Sequence, residues 1–196
     1  MNRLQELVEQ IKRLEKELYA ELQKKQDEFY YQVKGHKVYF EDATRRYHKT
    51  LVLKLHIYLR EARLLNILTI PLIWGCLLPA LFLDLTVTIF HSLCFRVYNI
   101  PLVKRSDYIV IDRQALTYLN IIEKINCVYC GYFNGLIAYV QEIAARTEQF
   151  WCPIKHARKT VGLHSRYRKF LEYGDAEGFR NKLGEVRRDF HDLDEK

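Results

Sequence analysis

The chain has 196 residues and a formal charge of +7, from 31 Lys/Arg against 24 Asp/Glu. That length allows one domain with appendages, and the basic balance suits acidic surfaces, anionic lipid or nucleic acid. Five cysteines, two of them (Cys76 and Cys94) inside an apolar run, exclude a secreted disulfide framework; they fit a reducing compartment, where thiols ligate metal or do transient redox work.

Residues 2–30 read as a helix, because Leu4, Leu7, Ile11, Leu14 and Leu18 step by three and four like a coiled-coil seam. The series breaks at Glu21, so residues 4–22 form a short seam for a second copy, another protein or a docked antiparallel helix. The charged N-terminus has no early apolar core followed by small residues, and no signal peptide is expected. Gly35 marks a turn that closes an arm at 1–40. A basic amphipathic helix is predicted over 41–63, with Leu51, Leu55, Tyr58, Leu59 and Ala62 on one face and Lys54, Arg60 and Arg63 snorkelling.

The membrane segment, 64–100, contains a run from Leu64 to Phe95 whose only charge is Asp84. One straight helix of that length would reach ~48 Å, against a hydrocarbon core of about 30 Å. Pro71, Gly75 and Pro79 offer break points. Either Leu72–Phe95 crosses once, or the chain bends near Pro79 and returns on the same side. Basic residues at both ends (Lys49, Lys54, Arg60 and Arg63; Arg96, Lys104 and Arg105) favour the return, with both flanks cytoplasmic. They also favour anionic lipid over nucleic acid, since no Lys/Arg stripe with interleaved aromatics stands out. Asp84, Thr88 and His91 share one helical face. They read as a polar or proton-handling stripe, or as an inward-facing set in a helix bundle.

Residues 101–175 form the predicted Cys/His subdomain. Tyr108–Ile111 reads as a short strand and Ala115–Arg146 as one or two helices. Gly131 and Gly135 make a GxxxG that permits close helix contact or marks a break. Asp175 opens a last charged helix, 176–196, reaching to about Asp192.

The chemistry-bearing pattern is Cys127-x2-Cys130, then Cys152-x3-His156. Cys127 and Cys130 fall on one helical face, with Glu123 a turn before and Asn134 a turn after. Pro153 after Cys152 suggests a helix start, which would set the Cys152 sulfur near free N–H groups and His156 one turn on. Three thiolates and an imidazole complete a tetrahedral zinc shell, with Glu123, Asn134 and Glu148, and also Arg146 and Gln149, as outer partners. An iron–sulfur centre is a second reading, a Cys127–Cys130 dithiol with Cys152 as its resolving partner a third, and plain packing a fourth. Phe150 and Trp151 read as core or as membrane-interface anchors. The remaining histidines, His36, His48, His56, His164 and His191, read as surface. No Ser/His/Asp order, Walker A loop, GxGxxG or HExxH supports hydrolase or nucleotide chemistry.

From about Thr44 to Asp175 the chain resembles an uncharacterised family of small bacterial membrane proteins. The stretches that carry the likeness are Asp112-Arg113, Tyr118-Leu-Asn120, Glu123-Lys124, Asn126-Cys-Val-Tyr-Cys130, Asn134-Gly-Leu136, Glu142-Ile-Ala144, Arg146-Thr-Glu-Gln149 and Trp151-Cys-Pro-Ile-Lys-His-Ala157. The resemblance implies a bacterial inner-membrane location and no particular reaction. The expectation is thus a mostly α, membrane-anchored protein with its soluble parts in the cytoplasm. It is a metal-binding scaffold, a thiol–disulfide protein, or a membrane-surface adaptor with structural cysteines.

Overall fold

The computed structural model describes residues 3–35, 37–61, 64–158 and 160–193. It is mostly helical and divides into two compact units, Met1–Glu61 with Asp112–Val128, and Ala62–Ile111 with Tyr129–Lys196. The predicted roles of His36, Ala62 and Arg63 fall outside the described residues.

In the first unit, helix α1 spans Arg3–Glu28 and leaves Ile11, Leu14 and Leu18 more than half exposed. The turn at Gly35 (φ +61°) joins two strands that the periodicity reading missed, β1 (Tyr31–Lys34) and β2 (Lys37–Phe40), paired antiparallel with Val33 opposite Val38. Their signal was present as aromatic and β-branched residues on both sides of the glycine. The single helix predicted for 41–63 is two: α2 (Asp42–Thr50) and α3 (Leu55–Glu61). α2 stops because the Thr50 hydroxyl bonds back to the Tyr47 carbonyl and the Leu51 N–H tightens onto His48 O. His48 is not a surface residue. Its ring sits between Phe40 and Tyr118, at 5.4 and 5.3 Å, and the Thr117 hydroxyl donates to Arg45 O at 3.3 Å.

In the second unit, α4 (Leu64–Gly75) and α5 (Leu77–Tyr98) follow one another through Cys76 as a 35-residue apolar helix, long enough to cross a membrane. The bend at Pro79 is not formed. Cys76 keeps right-handed helical angles (φ −63°, ψ −17°), and the Ala80 N–H reaches Cys76 O at 3.3 Å. Pro79 cannot give an N–H to the Gly75 carbonyl, and the helix tightens there for one residue, the Cys76 N–H bonding Ile73 O at 3.2 Å. Asn99, left-handed at φ +55°, ends α5. The chain then doubles back along the helix it has just left: Val103 N–H meets His91, and Arg105 meets Asp84.

Helix α6 runs unbroken from Ile121 to Trp151. Asn120 and Glu123 start it with a reciprocal capping box, at 2.8 and 3.0 Å, so Ala115–Leu119 lie outside the helix predicted for them. Tyr108–Ile111 is not a strand. It is an irregular passage that leaves a turn at Tyr108 and presses on the glycine face of α6, which makes the GxxxG a seat for backbone rather than for another helix. A Cβ on Gly135 would stand 2.7 Å from Tyr108 O and 2.8 Å from Ile109 Cα; on Gly131 it would stand 3.1 Å from Val110 O. Gly135→Ala is therefore expected to destabilise by about 1–3 kcal/mol, although alanine is the better helix former by ~1 kcal/mol. Gly131→Ala should come out near neutral in the same thermal-unfolding comparison.

The core of this unit gathers Ala80 and Phe95 of α5, Ile100 and Val103 of the return passage, Leu136, Tyr139 and Ile143 of α6, and Phe190. Helix α7 spans Ala176–Val186, shorter than predicted, and is capped by the Asp175 carboxylate on Gly178 N–H at 2.8 Å.

Candidate functional site

The four predicted ligands do not assemble. Cys127 and Cys130 lie well inside α6, and Cys152 follows its last residue. From Cys130 to Cys152 is 22 residues of helix, roughly 33 Å at ~1.5 Å each, many times a zinc–sulfur bond of about 2.3 Å. Among the described residues, no group of three or more His, Cys, Asp or Glu side chains is placed to hold a metal ion.

Local structure gives the reason. Cys152 does not open a helix. Its N–H bonds Glu148 O at 2.8 Å, which puts it at the carbonyl end of α6, where the dipole opposes a thiolate instead of supporting one. Pro153 and Ile154 then run extended: Leu171 N–H meets Pro153 O and Lys155 N–H meets Leu171 O, each at 2.8 Å, around an isolated bridge between Ile154 and Leu171. His156 is thereby carried away from Cys152, and its ring stacks on Tyr167 at 6.3 Å. The proposed outer partners have other work. Glu123 caps α6, Asn134 donates to Cys130 O, and Glu148 meets His164 at 3.1 Å. His164, predicted as surface, is packed among Tyr167 and Phe170. Cys127 and Cys130 remain neighbours on one helix. They stand three residues apart on α6 as free thiols, and both lie beyond the free N–H groups of its first turn, which would otherwise favour a thiolate.

The structure instead builds a polar seam between α5, the return passage and α6. Asp84, Thr88 and His91 share the face of α5 turned to α6. Arg105 forks onto both oxygens of Asp84, its second bond 2.6 Å long; the Tyr132 hydroxyl adds one at 2.7 Å and Thr88 one at 3.2 Å. One turn on, the buried His91 accepts the Val103 N–H on Nε2 at 2.9 Å. The neutral ring therefore carries its proton on Nδ1, 3.2 Å from the Tyr139 hydroxyl. Further along α6, buried Arg146 donates from Nε to Glu142 at 2.8 Å and from Nη1 to the carbonyls of Pro101 and Leu102, while Ser165 donates to the other Glu142 oxygen at 2.6 Å. Every one of these groups is satisfied from within the chain, so the seam functions as a clamp: it fastens the return passage and α5 to α6.

Sequence reasoning missed Arg105, Tyr132 and Tyr139. The signals were a carboxylate alone in an apolar run, which demands a partner, and the spacing of Tyr132, Tyr139, Glu142, Arg146 and Gln149 by threes, fours and their sums along one face of α6.

On the side of α5 opposite the seam, Leu78, Phe82, Leu85, Ile89, Leu93 and Val97 are all more than half exposed. In α4 no residue is buried and its leucines and isoleucines are exposed, while at its C-terminal end Trp74 packs on Tyr129 at 5.1 Å and the Tyr129 hydroxyl donates to Ile73 O at 2.8 Å. Trp151 is exposed too, edge-on to Tyr98 and Phe150 at 5.4 and 5.3 Å, while Phe150 packs against the core. No family model, curated protein or solved structure matches the chain.

Proposed function

We propose that the protein is a non-enzymatic adaptor at the inner membrane of a bacterium. The apolar helix α4–α5 seats it on anionic lipid, and the α1 arm recruits a protein partner or a second copy. The observation that carries this reading is the exposure of the apolar helix: in its most apolar 18-residue window only 6% of residues are buried. So much uncovered Leu, Ile and Phe needs an apolar surrounding. The +7 charge and the basic residues on both flanks support an anionic, cytoplasmic surface. Ile11, Leu14 and Leu18, exposed on one side of α1, support recruitment through residues 4–22.

In this reading the cysteines are packing or surface groups. Replacing all five by serine is expected to leave co-flotation with phosphatidylglycerol–phosphatidylethanolamine vesicles unchanged, and anaerobically purified wild type is expected to carry no stoichiometric zinc or iron. Stoichiometric metal that disappears with Cys127→Ser would restore the metal scaffold. A reversible Cys127–Cys130 disulfide under oxidant, trapped and mapped, would restore the redox reading. Failure of the wild type to float with vesicles would end the membrane reading itself.

A further inference from the structure

A 35-residue apolar helix invites the conclusion that it crosses the bilayer. The path of the chain argues otherwise. The first unit is made of two pieces, residues up to Glu61 and residues from Asp112, held together by Thr117 on Arg45 O and by Tyr118 on the His48 ring. Everything from 62 to 111 is an excursion that leaves this unit and re-enters it, so both ends of the excursion lie on one side of any membrane. If α4–α5 crossed, residues 99–111 would have to cross back. That passage is not helical apart from one short turn, Arg105–Asp107, and it carries Lys104, Arg105, Ser106 and Asp107. Irregular backbone is not found exposed to hydrocarbon, and Lys104, Arg105, Ser106 and Asp107 are all exposed.

The distribution of side chains agrees. On α5 the residues facing the seam are Ala80, Asp84, Val87, His91 and Phe95. The exposed ones, Leu78, Phe82, Leu85, Ile89, Leu93 and Val97, lie half a turn away. The helix is therefore two-sided, docked on one face and apolar on the other, which is how a helix lies in an interface. A second protein copy could cover one such face. One copy could not cover α4, whose leucines and isoleucines are exposed on every side; a fluid apolar phase does so readily. At ~52 Å the helix also exceeds an upright crossing of about 30 Å of hydrocarbon, and that length is no obstacle to a helix lying along the surface.

We infer that α4 and α5 lie along a single leaflet without crossing it, α4 immersed and α5 half-immersed on its Phe82–Leu85–Ile89–Leu93 face, with both ends of the chain on the same side. This rests on the membrane reading above, and the experiment separates the two. Wild-type chain with an epitope tag at either end is expressed in bacteria. In sealed inverted vesicles, protease should remove both tags; in spheroplasts it should remove neither. One tag lost and the other protected in the same preparation would establish a crossing and overturn the inference while leaving the membrane reading intact. Wild type in the soluble fraction would overturn both. In a second arm, Ile89→Lys with Leu93→Lys should lower partition onto phosphatidylglycerol–phosphatidylethanolamine vesicles roughly tenfold or more at unchanged helical circular dichroism. Unchanged partition, or a vesicle-indifferent dimer crosslinked through position 89, would defeat the one-leaflet seat.

Discussion

Arg166→Ala is expected to unfold the C-terminal part of the second unit under conditions where the wild type is intact. The Arg166 side chain is 2% exposed and satisfies four acceptors at once. Nε donates to Gln149 at 2.6 Å, Nη1 to Asp192 at 2.7 Å, and Nη2 to Asp189 O at 2.9 Å and to the second Asp192 oxygen at 3.0 Å. Its plane also lies 5.2 Å from the Phe190 ring centroid. Truncation leaves the fully buried Gln149 amide oxygen without its donor and the part-exposed Asp192 carboxylate with Lys169 as its main partner, a loss of about 1–3 kcal/mol, measured by urea unfolding and by hydrogen exchange in 160–193. Lysine should recover little, since one ammonium cannot reproduce the planar fork.

The same cluster gives an acid limb. Burial alone would raise the Asp192 carboxyl, but hydrogen bonds from Arg166 and Lys169, with their charges, outweigh it and hold the group well below the usual carboxylate range. A carboxyl depressed in the folded state stabilises fully above its unfolded pKa, about 4, and loses that contribution as pH falls below it. Asp192→Asn should flatten this part of the acid unfolding profile below pH ~4 and lower stability at neutral pH.

How much of this was legible follows from the range of each interaction. The existence of helix α6, of the Asp175 cap, of the turn at Gly35 and of the apolar helix is written in periodicity and local turn chemistry, although α6 starts six residues and ends five residues later than predicted and the apolar helix does not fold back at Pro79. The seam was half legible. Asp84, Thr88 and His91 could be set on one face by counting, but Arg105 reaches Asp84 only because Asn99 turns the chain back on itself, and nothing local announces that. The Cys/His set failed for a related reason. Proline after Cys152 is compatible with a helix start and equally with an extended strand, and it was pairing with Leu171, 17 residues on, that decided between them. Ligand spacing is a statement about loops. Here the spacer between Cys130 and Cys152 is one rigid helix, which holds apart what a loop would have brought together.

Arg146→Ala should be the second large loss, and it tests whether the seam is a clamp. The Arg146 and Glu142 side chains are each under 10% exposed. Removing the arginine leaves a buried carboxylate with only Ser165, a cost of about 3–5 kcal/mol. A buried pair can often be exchanged for apolar residues of similar size at little cost, so Glu142→Leu with Arg146→Met might be thought a rescue. It should fail here, because Arg146 also satisfies the Pro101 and Leu102 carbonyls, and methionine donates nothing to them. The double variant should stay at least ~2 kcal/mol below wild type, and limited proteolysis should cut first within 99–111. If the double variant regained wild-type stability with 99–111 still protected, the carbonyl bonds would be dispensable and the passage would be held by Gly135 and the core alone. Loss of the passage would release Arg105 from Asp84 and leave that carboxylate, within an apolar helix, with only the Tyr132 and Thr88 hydroxyls; on the proposed membrane seat, the clamp is what would neutralise it.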